Sequence, residues 1–177
     1  MSLLAGKTVL VSGVFTESSI AFRSAAIAQE QGATVILSGF GRRRRITEAV
    51  ARRLPTTAPV VEFDAEEPAD VGLLADRLRE HTDRLDGVVH CISASLPSVV
   101  GDGFSDAEWD DVAHSFRVSA YSLQSLVRGA DPLLGAGASV VGCTLDASPA
   151  RFRVRAARVD RTAAASRYLL LSFEARS

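Results

Sequence analysis

The stretch at residues 6–40, GKTVLVSGVFTESSIAFRSAAIAQEQGATVILSGF, decides the fold. Its pattern predicts a strand, a glycine turn, a helix and a second strand, in that order, at Lys7–Ser12, Gly13, Ser18–Gly32 and Thr34–Leu37. A glycine turn before a helix presents unpaired backbone N–H groups and the positive end of the helix dipole, and both favour a bound diphosphate. The stretch therefore predicts a dinucleotide-binding βαβ unit.

The same alternation of strands and helices continues along the chain. Further strands are predicted to end near Asp64, Ser93 and Leu145, with helices between them, and a last helix is predicted from about Val159 to Glu174. We expect one Rossmann-type α/β domain over residues 1–177. Its parallel strands would follow the order 3-2-1-4-5, without the usual sixth and seventh strands.

Composition excludes several classes of function. The net charge of −1 gives no general attraction to nucleic acid, and no apolar run is long enough for a membrane span. The amino terminus, MSLLAGK, carries no secretion signal, so we expect a cytoplasmic protein. The histidines are scattered, which predicts no metal site. Cys91 and Cys143 lie in predicted strands, and we interpret them as small core residues rather than a disulfide or metal pair.

Several motifs together carry a family resemblance. They are the opening stretch, RLP at 53–55, DGVVHCI at 86–92, SAYS at 119–122 and GASVVG at 137–142. Over residues 3–146 the chain resembles the actinobacterial NADH-dependent enoyl-acyl-carrier-protein reductases, within the short-chain dehydrogenase/reductase superfamily. The resemblance implies reduction of trans-2-enoyl thioesters, carried on acyl-carrier protein or CoA, in fatty-acid biosynthesis. It also implies NADH as cofactor and assembly into homo-oligomers.

The resemblance also implies the cofactor-binding residues. They are Gly13, Ser19 and Ile20 at the diphosphate, Phe40 beside the adenosine, Asp64 and Ala65 at the adenine, and Cys91, Ile92 and Ser93 along the ribose and nicotinamide. All follow the carboxyl ends of predicted strands, where open α/β sheets bind ligands. Asp64 has the alternative role of a loop cap. Ser93 replaces a glycine of the family, and its side chain would crowd the cofactor.

Cofactor choice stays open between NADH and NADPH. Arg42–Arg45 follows the second predicted strand, and arginines beside the adenosine ribose would accept a 2′-phosphate. The related reductases carry an acidic residue at the position of Gly41, which also leaves NADPH as an alternative. The other interpretation of the arginines is a solvated start of a helix.

The family's catalytic residues do not match. Its tyrosine hydroxyl supports the enolate, and a lysine further along the chain holds the nicotinamide ribose. Counting from Asp146 places Val154 at the tyrosine and Arg161 at the lysine. Valine has no proton to donate, whereas Arg161 could still hold a ribose hydroxyl. Tyr121 belongs to an earlier helix and is interpreted as core packing, so we expect catalysis to be impaired or absent.

Two further interpretations remain open. The chain is either a noncatalytic nucleotide-binding module, which pairs with itself or with a full-length relative, or a frameshifted and truncated remnant. The arginine-dense stretch from Pro149 to Ser177, which has no glycine, favours the second interpretation. Nucleic-acid binding through Arg42–Arg45 is a weaker hypothesis, because no aromatic residues are interleaved with these arginines.

Overall fold

A computed structural model describes residues 2–99, 106–145 and 169–173 of the chain, the last five through their backbone. The strands are β1 (Thr8–Ser12), β2 (Thr34–Gly39), β3 (Val60–Glu62), β4 (Leu85–His90), β5 (Leu134–Leu145) and β6 (Leu169–Phe173). The α-helices are α1 (Ile20–Glu30), α2 (Gly41–Ala51), α3 (Pro68–Arg79), α4 (Trp109–Phe116) and α5 (Ser122–Ala130). A π-helical turn, Arg117–Tyr121, joins α4 to α5. None of the described helices is long and apolar enough to cross a membrane.

The described strands form one parallel sheet in the order β3-β2-β1-β4-β5-β6. The predicted order of the first five strands, 3-2-1-4-5, is confirmed. β1 lies at the centre and pairs with β2 on one side and β4 on the other, with Val11 opposite both Leu37 and Val89. The chain leaves β1 in one direction toward β2 and returns later on the opposite side, so the order of strands reverses between β1 and β4.

The sixth strand corrects the sequence analysis. The backbone over Leu169–Phe173 is a strand parallel to β5, with Leu169 opposite Val141, where the sequence predicted a helix and no further strand. A short apolar run such as LLLSF suits a covered strand and a buried helix equally well, and periodicity cannot separate the two. The remainder of the predicted helix from Val159 lies outside the described residues.

Core side chains alternate between the two faces of the sheet. Val9 and Val11 of β1 pack with α1 and α2, whereas Leu10 between them packs with α3 and α5. Leu10 and Val11 are both fully buried, as expected for a parallel strand covered on two faces. The alanines that α1 repeats along one face, Ala21, Ala25 and Ala28, are buried against the first of these faces.

An ion-pair network joins the amino ends of β1 and β4. The Asp86 Oδ1 atom accepts from Lys7 Nζ at 2.9 Å and from Arg84 Nη2 at 2.7 Å, while Oδ2 accepts from the Thr8 backbone N–H at 3.1 Å. Burial acts to raise the pKa of Asp86. The hydrogen bonds from Lys7 and Thr8, with the charges of Lys7 and Arg84, outweigh burial and hold that pKa below its ordinary value.

Replacing Asp86 tests this network. We expect Asp86→Asn to lower the free energy of unfolding by about 1–3 kcal/mol at pH 7, because charge-assisted hydrogen bonds are lost. A carboxylate with a lowered folded-state pKa stabilises the fold above its unfolded pKa, and the effect disappears as pH falls through the folded value. The difference between variant and parent should therefore shrink below about pH 4 in urea titrations. Asp83→Asn, an exposed neighbour, should change stability little, and an equal loss there would contradict the assignment.

Candidate nucleotide site at the carboxyl edge of the sheet

The turn after β1 is in direct backbone contact with the end of β4. Gly13 has φ +86°, and a Cβ atom built there would lie 2.2 Å from the Cys91 carbonyl oxygen. Ser12 Oγ donates to the Val89 carbonyl at 3.2 Å and accepts from the Cys91 N–H at 3.4 Å. Only glycine meets both the left-handed conformation and the lack of space. The contact lies where the strand order reverses, the usual ligand-binding crevice of an open α/β sheet.

Helix α1 begins at this turn with a serine cap. Ser19 Oγ accepts from the Phe22 N–H at 3.1 Å and donates to the Thr16 carbonyl at 2.8 Å, so its proton is used within the turn. The N–H groups of Ile20 and Ala21, at the start of the helix, have no intrahelical acceptor. No acidic residue lies in the first turn of α1. The helix end is therefore able to attract an anion through its dipole and N–H groups.

A cleft at the carboxyl edge brings five of the nine expected cofactor residues together. They are Gly13, Phe40, Asp64, Ala65 and Ile92. Cys91 touches Gly13 from the neighbouring strand, but Ser19, Ile20, Cys91 and Ser93 do not line this cleft. Ser93 is exposed just beyond β4. The binding role of all nine residues stays a prediction.

Sequence reasoning missed other residues that line the same cleft. They are Phe15, Ser38, Gly39, Phe63, Glu66 and Val118. Most of them adjoin a residue that the sequence analysis did select, or end one of its predicted strands. Val118 is the farthest in sequence from any selected residue, because it lies in the π-helical turn, which no local pattern placed near β3. The cleft has a volume of only about 40 Å³, so its apolar lining would meet an adenine ring along one face and not enclose it.

Asp64 fulfils the capping role that the sequence left as an alternative. Its Oδ1 atom accepts from the Glu66 N–H at 3.0 Å, and its own N–H donates to Asp70 Oδ2 at 2.9 Å. Asp70 in turn pairs with Arg77 at 2.8 Å, which fixes the start of α3 against the end of β3. These bonds hold Asp64 in place on the wall of the cleft, and capping by one oxygen leaves the second oxygen for a ligand.

Glu62 supplies a carboxylate at the turn where the arginines begin. Its Oε1 atom accepts from the Gly41 N–H at 2.5 Å, and its Oε2 atom pairs with Arg44 at 3.4 Å. Arg44 also pairs with Glu48 at 2.9 Å, so its charge is already balanced. The Arg43 guanidinium stands 5.8 Å from the Phe40 ring centroid. Glu62 carries no local signal in the sequence, because its contact with Gly41 depends on the pairing of β2 with β3.

A buried histidine lies behind the site. His90 Nε2 is 2.7 Å from Ser122 Oγ, and Ser122 Oγ donates its proton to the Val118 carbonyl at 2.5 Å. Nε2 must therefore carry the ring proton and donate it to the serine. Burial lowers the pKa of His90 to about 4, so the ring is neutral near pH 7. This hydrogen bond fixes the π-helical turn to the end of β4.

The π-helical turn also corrects the interpretation of Tyr121 as a core side chain. Tyr121 is 50% exposed, on the surface beside Arg117 and Arg128. The sequence analysis placed Tyr121 in a helix before the last predicted strand, without an interruption of that helix. A π-helical turn changes the residue period and rotates Tyr121 away from the face that an unbroken helix would bury. Val154 and Arg161, expected at the catalytic positions, lie outside the described residues.

Comparisons with known proteins agree with this architecture. A family model described as enoyl-(acyl carrier protein) reductase matches residues 13–164. The chain is 40% identical to the enoyl-acyl-carrier-protein reductase (NADH) of Mycolicibacterium smegmatis over 148 residues, covering 81% of this chain and 55% of that protein. The protein of the same name from Mycobacterium avium is 40% identical over 151 residues, covering 84% and 56% of the two chains. The chain thus spans about half the length of the curated relatives it matches.

Substitutions of glycine test the contact between β1 and β4. We expect Gly13→Ala to lower the free energy of unfolding by at least about 2 kcal/mol, because it adds a strained φ to a clash with a backbone carbonyl. Gly41→Ala, at φ +49° in open space, should show the strain alone. Gly72→Ala, inside α3 with no neighbour nearby, should stabilise by about 0.5–1 kcal/mol. Equal losses for the first two variants in urea unfolding would contradict a special role for the contact.

Proposed function

The chain belongs to the enoyl-(acyl carrier protein) reductase family, and we propose that it binds NADH at the carboxyl edge of its sheet. The observation that carries the proposal is the Gly13 turn, which lies against Cys91 and leads into a capped helix without acidic residues in its first turn. The cleft beside this turn adds the aromatic and carboxylate groups that an adenosine needs. The two mycobacterial relatives are named as NADH-dependent enzymes, which supports the same cofactor.

Each part of the cofactor has a proposed contact in this chain. The first turn of α1 would hold the diphosphate, and the Phe40 ring would flank the adenosine. Asp64 and Ala65 would contact the adenine, and Cys91 with Ile92 would lie along the ribose and nicotinamide. The bound nicotinamide would supply a hydride. The residues described here bind and orient the cofactor and exclude water from it.

The carboxylate of Glu62 favours NADH over NADPH. It lies against the Gly41 N–H, close to where an acidic residue holds the ribose hydroxyls in NAD-binding folds. A negative charge there repels a 2′-phosphate, and Arg44 is already paired with Glu62 and Glu48. The arginine run is therefore weaker support for NADPH than its charge suggests.

Exchanging Glu62 tests cofactor choice. We expect the unmodified chain to prefer NADH, and Glu62→Gln to raise the affinity for NADPH relative to NADH by about 3- to 10-fold, measured by fluorescence titration. Glu48→Gln is the matched control, because it also removes one of the two ion pairs of Arg44 but leaves the carboxylate at Gly41 in place. The same shift in both variants, or a preference for NADPH in the unmodified chain, would contradict the role of Glu62.

As a member of this family, the chain is proposed to reduce trans-2-enoyl thioesters that are carried on acyl-carrier protein or CoA. We further propose that it is cytoplasmic and oligomeric. The catalytic residues of the family, however, do not match those of this chain. Val154 stands where a tyrosine is expected, and residues 122–167 contain no tyrosine. That observation favours the second candidate function, a nucleotide-binding module without turnover that pairs with itself or with a longer relative.

Turnover and binding can be measured separately on the full chain. We expect NADH to bind but its absorbance to fall little or not at all with crotonyl-CoA or dodecenoyl-CoA, because valine cannot support the enolate. A complete reductase of the family, assayed alongside, provides the reference rate. Turnover near that reference would overturn the argument from Val154. Absence of NADH binding in a folded sample would overturn the proposed function as a whole.

A further inference from the structure

Two cysteines lie side by side at the end of the sheet. β4 and β5 pair with His90 opposite Gly142, so the next residues, Cys91 and Cys143, are neighbours although they are 52 positions apart in sequence. Their Sγ atoms are 3.0 Å apart. Both thiols are free and half-buried. The interpretation of the two cysteines as unrelated core residues is therefore incomplete, because they form a pair.

The two thiols differ in acidity. The hydrogen bond from Cys91 lowers the pKa of Cys143, because it stabilises the Cys143 thiolate. The same hydrogen bond, followed by burial, raises the pKa of Cys91 and keeps its proton in place. The thiolate is the reactive form of cysteine, and Cys143 is also the thiol that lines an open groove, so we assign Cys143 as the nucleophile of the pair.

An open groove gives small molecules access to Cys143. This groove has a volume of about 470 Å³ and lies on the α1 face of the sheet, where Cys143 lines it with Val9, Ile27, Val89 and Val141. Its walls are mostly apolar. A small uncharged oxidant can therefore reach the Cys143 sulfur, whereas a bulky charged reagent is disfavoured.

We propose that Cys91 and Cys143 form a reactive dithiol that a peroxide converts into an intramolecular disulfide. The Cys143 thiolate attacks one peroxide oxygen and the O–O bond breaks, giving a Cys143 sulfenic acid and hydroxide, which takes up a proton as water. The Cys91 sulfur then attacks the Cys143 sulfur, the S–O bond breaks, and hydroxide leaves with the Cys91 proton as a second water. Two thiols are oxidised and one peroxide is reduced.

The geometry requires little movement for this bond. A disulfide has an S–S length of about 2.0 Å, so the two sulfurs must approach by about 1 Å. Side-chain rotation and a small backbone shift at Cys91 supply such a distance without a change in strand register. The two thiols are therefore already close enough to form a disulfide without a rearrangement of the fold.

The experiment uses the full chain with both thiols reduced. After treatment with hydrogen peroxide and alkylation, intact mass should show the loss of two hydrogens and no alkylated thiol, and a non-reducing gel should show a monomer. Dithiothreitol should restore both thiols. Two alkylated thiols after peroxide, or only intermolecular disulfides, would overturn the proposal.

Two conservative variants separate the roles of the thiols. In Cys91→Ser, Cys143 should still react with peroxide and give a sulfenic acid that dimedone traps. In Cys143→Ser, the remaining Cys91 should react much more slowly, because Cys91 does not line the open groove. Equal rates of dimedone labelling in the two variants would contradict Cys143 as the nucleophile.

The Cys91–Cys143 disulfide would also affect NADH binding at the carboxyl edge of the sheet, an inference that rests on the proposed function. The Cys91 carbonyl touches Gly13, so a shift of Cys91 toward Cys143 disturbs the turn that would hold the diphosphate. We expect the oxidised chain to bind NADH more weakly than the reduced chain. Equal binding by both forms would overturn this consequence. If neither form binds, the proposed function fails, while the disulfide measured by mass stands independently.

Discussion

The backbone contact between Gly13 and Cys91 is the constraint on which the rest of the site depends. The contact exists because β1 and β4 are adjacent in the sheet. After β1 the chain continues toward β2 on one side, and after β4 it continues toward β5 on the other side. A side chain at Gly13 would push the two strand ends apart and move the start of α1. The position of the capped helix end, the cleft beside it and the thiols at the end of β4 and in β5 all follow from that approach.

Local patterns predicted much of this architecture, and the failures have a common cause. Apolar runs and glycine stops located β1 to β5, because each of these strands carries a strong local apolar signal. Leu169–Phe173 was mistaken for a helix because its short apolar run has no distinguishing period. The π-helical turn interrupts the regular helical period, and for that reason the prediction of Tyr121 as a core side chain was wrong.

The features missed in the candidate site depend on pairing between distant strands. Glu62 contacts Gly41 only because β2 and β3 are in register, and Cys91 contacts Cys143 only because β4 and β5 are. The register between two distant strands cannot be predicted from the residues around either strand alone. The family resemblance did place Gly13, Phe40 and Asp64 at one edge, because the ends of parallel strands share that edge whatever their register.

The joining of β1 to β4 also has a consequence for how the chain folds. The Asp86 bond to Thr8 and the Ser12 bond to Cys91 link positions 78 and 79 residues apart. During synthesis, one edge of β1 therefore stays without its partner until β4 has left the ribosome. Such a high contact order slows folding and leaves an apolar strand open to other chains in the meantime. The turn at Gly13 is thus completed only after β4 is made, although it precedes β4 by more than 70 residues in the chain.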